Sequence, residues 1–268
     1  TPFIATGGEN PLHWAVSRVG GGLLPAGLQW DETTGIISSM ADAGDGIEYT
    51  YRVTVSDGVG SYPHLDTFNL KVNSPVVATL IGSISRSFTQ DAPYTPFTPV
   101  VGSGGTIPRI YGISPSLPSG MNINAGSGQI SGTPTTTTNA TYTITVTDSM
   151  LPTGLPGGAS DSKDIHLTVN APIQTTVMIL SQSLIHNHMG LAPLPATPPN
   201  EFQPISASYG TVPYTWQVTP AMPSSLHMDN RGIIVGATDT AGAGTYTVIV
   251  SDSVGAGGPA RNFYVNVY

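Results

Sequence analysis

Cysteine is absent from the 268 residues, so neither disulfides nor thiolate-bound metal hold the fold. Charge is scarce. Only 9% of residues are charged, and 8 basic side chains face 16 acidic ones for a net −8. That excludes the basic footprint of a nucleic-acid binder and the polybasic segment of a protein that docks on anionic lipid. Long apolar runs are missing too. Val76–Ile81 is a strand's length, against the roughly 18 residues that span a bilayer, so no membrane insertion is expected. No leader-like segment opens the chain at Thr1, which reads as a mature or partial product. What is abundant is glycine, at 32, and proline, at 24, among many Thr, Ser and Val. Those residues favour strands and turns over helices, and the length suits one to three domains. The composition is all-β.

Aligning the chain with itself reveals three copies of one pattern. A Gly-rich turn is followed by Pro and then an aromatic: Gly7-Gly8 with Pro11 and Trp14, Gly104-Gly105 with Pro108 and Tyr111, Gly210 with Pro213 and Trp216. Next comes a turn of the type Leu117-Pro118-Ser119-Gly120-Met121, matched at Leu24–Leu28 and Met222–Leu226. A glycine with an aliphatic follows: Gly35-Ile36, Gly128-Gln129-Ile130 and Gly232-Ile233. The sharpest landmark is a strand, Tyr51-Arg52-Val53-Thr54-Val55-Ser56-Asp57, repeated from Tyr142 to Asp148 and from Tyr246 to Asp252. Side chains alternate along a strand, so Tyr, two aliphatics and Asp share one face, as in a half-buried antiparallel strand. A last strand closes each copy at Phe68–Val72, Ile165–Val169 and Phe263–Val267. The period of about 90 to 105 residues is the size of one two-sheet sandwich.

These motifs, above all Ser127-Gly128-Gln129-Ile130-Ser131-Gly132-Thr133-Pro134 in the middle copy, resemble the "putative Ig" modules, relatives of cadherin-like and dystroglycan-type domains. The outer copies depart at Ser38-Ser39-Met40 and Val235-Gly236-Ala237-Thr238. The resemblance covers nearly the whole chain. It implies three tandem Ig-like antiparallel β-sandwich domains, and a function only loosely, since such modules serve as spacers, adhesive domains and accessory domains on extracellular and phage proteins.

Hinges are expected at Val72-Asn73-Ser74-Pro75 and Val169-Asn170-Ala171-Pro172, where each proline ends strand pairing. They divide the chain into modules 1–73, 74–170 and 171–268. Linkers this short predict a semi-rigid rod. Copies two and three carry a first strand around Leu80–Phe88 and Val177–Ile185, whereas copy one has only Thr1–Thr6 there. The expectation is a piece of a longer chain, or a module whose first strand is donated by another chain.

Candidate chemistry is thin. Asp57, Asp148 and Asp252 invite a calcium reading, but calcium wants six or more oxygens and each hinge offers one Asn, so turn capping is favoured. The acids Asp31, Glu32, Asp42, Asp45 and Glu48 read as a solvated surface rather than a paired-carboxylate cleft. His186 and His188 would share a strand face with no third ligand nearby. There is no nucleophile elbow and no phosphate loop, and Asn139-Ala140-Thr141 is a chance-level glycosylation match. Tyr51, Tyr142 and Tyr246 resemble the tyrosine corner, and Trp14, Tyr111 and Trp216 read as core. No catalytic set and no cofactor is expected.

Departures from the repeat are the better guide to recognition. Asp148 to Ile165 is six residues longer than the matching spans Asp57–Phe68 and Asp252–Phe263, and the extra loop carries Met150, Leu151 and Leu155. A second insertion holds Leu191 and Leu194. Apolar loops of this kind suggest docking to a neighbour, or folding over their own sandwich. The function expected is a non-enzymatic structural or adhesive segment on a bacterial surface or virion. Its partners would be neighbouring subunits, further modules, or a surface glycan or receptor. The alternatives are a carbohydrate-binding accessory region of a secreted enzyme and a calcium-dependent adhesion module.

Overall fold

The computed structural model describes residues 4–38, 44–57, 59, 64–149, 158–184, 201–223, 226–236 and 241–268. Every regular element among them is a strand. The first repeat contributes β1 (His13–Arg18), β2 (Gln29–Trp30), β3 (Ile37–Ser38), β4 (Glu48–Ser56) and β5 (His64–Lys71). The second contributes β6 (Val77–Leu80), β7 (Ser85–Thr89), β8 (Val100–Ser103), β9 (Ile110–Ser114), β10 (Met121–Ile123), β11 (Ile130–Gly132), β12 (Thr138–Thr147) and β13 (Ser160–Asn170). The third contributes β14 (Gln174–Val177), β15 (Ser181–Leu184), β16 (Ile205–Ser208), β17 (Thr215–Thr219), β18 (His227–Met228), β19 (Ile234–Val235), β20 (Gly242–Ser251) and β21 (Arg261–Val267).

The repeats share one topology. Four-stranded sheets run β7-β13-β12-β9 and β15-β21-β20-β17, while the first repeat has β1-β4-β5. Small two-stranded sheets β2-β3, β10-β11 and β18-β19 recur at the matching place in each repeat, and β6-β8 and β14-β16 complete the second and third. Two compact units result. One comprises Thr1–Thr79, Val100–Gly112 and Thr145–Lys163, the other Leu80–Pro99, Ile113–Ile144 and Asp164–Tyr268.

The period-2 pattern places the cores. Tyr246, Val248 and Val250 of β20 and Phe263, Val265 and Val267 of β21 are buried in one cluster with Leu184, Ile205 and Ile234. Each such aliphatic contributes about 1.5–3 kcal/mol by leaving water. The residue that enters the core is the second after the repeated glycine: Ile130 and Ile234 are fully buried, while Ile36, the first after Gly35, stays exposed. The repeated glycine itself lies on the aromatic ring. A Cβ on Gly232 would come within 2.6 Å of Trp216, and one on Gly35 within 2.8 Å of Trp14.

Two expectations need correction. The single first strand is split: β6 pairs with β8 in one sheet, and β7 joins β13 in the other. In the second repeat the switch passes through Gly82, at φ +74°, a conformation glycine adopts without penalty. The sandwiches are also not wholly antiparallel. β7 runs parallel to β13 with Phe88 opposite Val169, and β15 runs parallel to β21 with Leu184 opposite Val267. A strand that changes sheets reaches the second sheet still travelling in its original direction, which makes that edge parallel. In the first repeat, among the described residues, no strand pairs with the outer edge of β5.

Candidate functional site

The strand-ending aspartates organise one end of each module. Asp252 is 4% exposed. Its Oδ1 accepts from Val254 N (3.1 Å) and Ala256 N (2.8 Å), capping the turn after β20 as expected of Asp. Its Oδ2 does something the strand pattern did not predict: it accepts from Thr211 N at 2.9 Å, at the Gly-rich turn before β17. Asp148 Oδ2 accepts from Thr106 N at 3.0 Å, and Asp57 Oδ2 from Glu9 N at 3.4 Å. Thus each aspartate ties two loops together through amide donors. The preceding glycine leaves room for this, since a Cβ on Gly105 (φ +60°) or Gly210 (φ +66°) would lie 2.9 or 3.0 Å from the carboxylate.

The same loops grip the hinges. Gly105 N donates to Ser74 O at 2.7 Å, and Gly210 N to Ala171 O at 2.8 Å. The hinge asparagines reach the following threonine: Asn73 Nδ2 to Thr106 Oγ1 at 2.8 Å, and Asn170 Nδ2 to Thr211 Oγ1 at 3.0 Å. At the second hinge Thr89, at the end of β7 and 1% exposed, donates to Asp252 Oδ2 at 2.5 Å. Having given its one proton there, it accepts from Thr211 Oγ1 (2.9 Å), which shares its hydrogen with Phe88 O (3.2 Å). A buried carboxylate is tolerable in such a place only because charge-assisted donors surround it.

Other candidates resolve into structural roles. Asp31 Oδ1 accepts from Thr33 N, Thr33 Oγ1 and Thr34 N, and the Thr33 and Thr34 donors pull its pKa down to about 2. Asn124 makes the same turn through Gly126 N and Ser127 N, and Asp229 through Arg231 N and Ile233 N. This repeated Asx turn, which closes the small hairpins, went unread in the sequence, although an Asp or Asn shortly before the repeated glycine marks it. Asp45 accepts from the Tyr49 hydroxyl, which lowers its pKa. Trp14 and Tyr111 are buried and Trp216 is half-buried. Of the repeated tyrosines, all of them buried, Tyr51 donates to a backbone carbonyl, Leu23 O at 3.4 Å. Tyr142 instead meets the Thr138 hydroxyl at 3.3 Å, so the tyrosine-corner bond is not a feature of every copy. Asn139 Oδ1 lies 2.7 Å from His166 Nε2. Among the described residues, no three His, Cys, Asp or Glu side chains gather as a metal site. Met150, Leu151, Leu155, Leu191 and Leu194, with Asp42, His186 and His188, lie outside the described residues.

The scaffold of aspartate clamp, glycine turn and paired strands recurs in all three copies, and the sequence profile of the family described as "Putative Ig domain" matches residues 2–73, 74–170 and 179–268. The chain belongs to that family. Its Ig modules are similar to a three-domain fragment of the titin I-band, I67–I69, at 14% identity over 97% of this chain and 88% of that one, with a TM-score of 0.47. They are also similar to Drosophila N-cadherin EC1-4, at 12% identity, 99% and 69% coverage and a TM-score of 0.34. Sidekick-1 immunoglobulin domains 1–5 align at 11% identity, 96% and 54% coverage and a TM-score of 0.38. No curated protein matches. Among the described residues, no helix is long and apolar enough to cross a membrane.

Proposed function

We propose that this Ig-module array is a non-enzymatic structural or adhesive segment, a semi-rigid spacer of modules 1–73, 74–170 and 171–268 on a bacterial surface or virion. The observation that carries this reading is the grip of each module's Gly-rich turn on the hinge before it, through Gly105 N to Ser74 O and Gly210 N to Ala171 O, reinforced by Asn73 and Asn170. A hinge hydrogen-bonded along its backbone restricts bending, which suits an element that sets a distance. Its partners are neighbouring subunits or further modules of the same kind, with a surface glycan or receptor at whatever tip the array presents.

Small-angle scattering on one-, two- and three-module forms tests it. The maximum dimension should rise by a constant increment per module. A length that saturates as for a flexible chain, or turnover of a substrate by a purified module, would sink the reading.

A further inference from the structure

The long sheets of the three repeats bury the same inner pattern but carry different outer faces. In the third repeat, the side chains that point away from the core pair across the strands as Thr245 with Tyr264, Thr247 with Asn262 and Ala243 with Asn266. β15 sets Ser181 beside Tyr264 and Ser183 beside Asn266, and β17 sets Thr219 beside Thr247 and Gln217 beside Ile249. The face is open, with Tyr264 39% and Ile249 40% exposed. None of these side chains is charged, on a chain of net charge −8.

The matching faces of the other repeats are spent on themselves. In the second, Thr143 Oγ1 donates to Asp164 Oδ1 at 2.7 Å. His166, at the position of Tyr264, has Nε2 2.7 Å from Asn139 Oδ1 and Nδ1 3.4 Å from Thr141 Oγ1. In the first, Thr50 Oγ1 donates to Asn69 Oδ1 at 2.9 Å, and the face carries Arg52 and the cross-strand pair Glu48 and Lys71. The third repeat differs. Among the described residues, the side chains of Gln217, Thr245, Thr247, Asn262, Tyr264 and Asn266 make no hydrogen bond. Each of the three amides therefore keeps two donors and an acceptor oxygen for a partner. Asn262 and Asn266 stand two residues to either side of Tyr264, about 7 Å along the strand.

These groups select the chemistry of that partner. A charged ligand finds no counter-charge here. A protein partner needs an apolar centre that excludes water, whereas this face sets one ring among amides and hydroxyls. An uncharged sugar matches both parts: the C–H face of a pyranose lies against the tyrosine ring, and its hydroxyls pair with the amides. We propose that the outer face of β15-β21-β20-β17 binds a neutral polysaccharide, with Tyr264 as the stacking platform and Asn262, Asn266 and Gln217 holding sugar hydroxyls. This site rests on the reading of the array as a surface segment, and it gives the glycan a place on the third module.

Affinity electrophoresis of the 268-residue chain tests it, in gels holding dextran, mannan, galactan or mixed-linkage β-glucan, with polygalacturonate as the charged comparison. Retardation is expected in at least one neutral gel and not in polygalacturonate. Y264A should weaken the apparent affinity about tenfold or more, and N262A with N266A should weaken it as well. Y264F should keep it, and H166A, on the matching face of the second repeat, should migrate as the parent does. An unchanged melting temperature for the exposed Y264A and N262A/N266A variants separates lost binding from lost fold. No retardation in any neutral gel, equal retardation of Y264A, or equal retardation in polygalacturonate would overturn the site. Those outcomes leave the scattering increment per module, and with it the spacer reading, intact.

Discussion

β5 and β21 read alike in sequence, Phe68-Asn69-Leu70-Lys71-Val72 against Phe263-Tyr264-Val265-Asn266-Val267, yet they are packed differently. Phe263, Val265 and Val267 are 2%, 1% and 3% exposed, whereas Phe68 and Leu70 remain half-buried and Leu65 is 56% exposed. The difference lies in their neighbours. β21 is flanked by β15 as well as β20, while β5 pairs with β4 alone among the described residues. An alternating pattern states which face a strand would bury, and the adjoining strand decides how completely that face is covered.

The comparison can be broken at the aspartate clamps. D252A removes the acceptor of four donors in a 4% exposed site and should cost about 3–5 kcal/mol in urea unfolding. D57A, in a half-buried site where the bonds to Glu9 N and Val59 N measure 3.4 and 3.3 Å, should cost less than D252A does. Equal losses would remove the distinction between the ends of the first and third repeats.

The glycines sharpen it further. G105A meets Val76 at 2.4 Å in addition to its positive φ and should destabilise by about 2–3 kcal/mol. G8A adds to its backbone strain only ordinary van der Waals contacts, with Leu12 at 3.4 Å and Asp57 at 3.5 Å, and should cost about 1 kcal/mol. Thermal unfolding of the two variants would measure the gap.

At the second hinge, T89V keeps the shape but removes the hydroxyl between Asp252 and Thr211, and a loss of about 1–2 kcal/mol is expected from the same unfolding assay. The smallest effect concerns pH. The Asp31 pKa falls from 3.8 to about 2 on folding, so its contribution is full above pH 4 and fades as pH drops through 2. D31N should flatten that acid limb while leaving stability near pH 7 almost unchanged, because Asn124 already makes this turn in the second repeat. A two-dimensional carboxyl titration, with melting temperature followed from pH 5 to pH 2, would check both parts.

Much of the architecture was legible in the sequence. The Tyr-x-aliphatic-x-aliphatic-x-Asp strand announces its buried face directly, and Val248, Val250, Ile144 and Val146 are fully buried as that alternation requires. The hinge prolines mark where pairing stops. Harder to read was the division of the first strand between two sheets. Within Leu80–Phe88 the sign was Gly82-Ser83, since a lone glycine in a strand pattern marks a bend without saying that the chain then joins another sheet. The clamps were half visible. Asp was expected to cap the following turn, but its bond to Thr211 N joins residues 41 apart in sequence, which no local pattern encodes.

By itself the sequence determined the repeat, its period, the all-β class and the inward face of each long strand, because side-chain alternation and turn chemistry are local properties. The tertiary structure alone decided which edges are covered, that the sheet-switching strand lies parallel to the last one, and that Thr89 of one module meets Asp252 of the next. Those features depend on groups far apart in the chain arriving at one place.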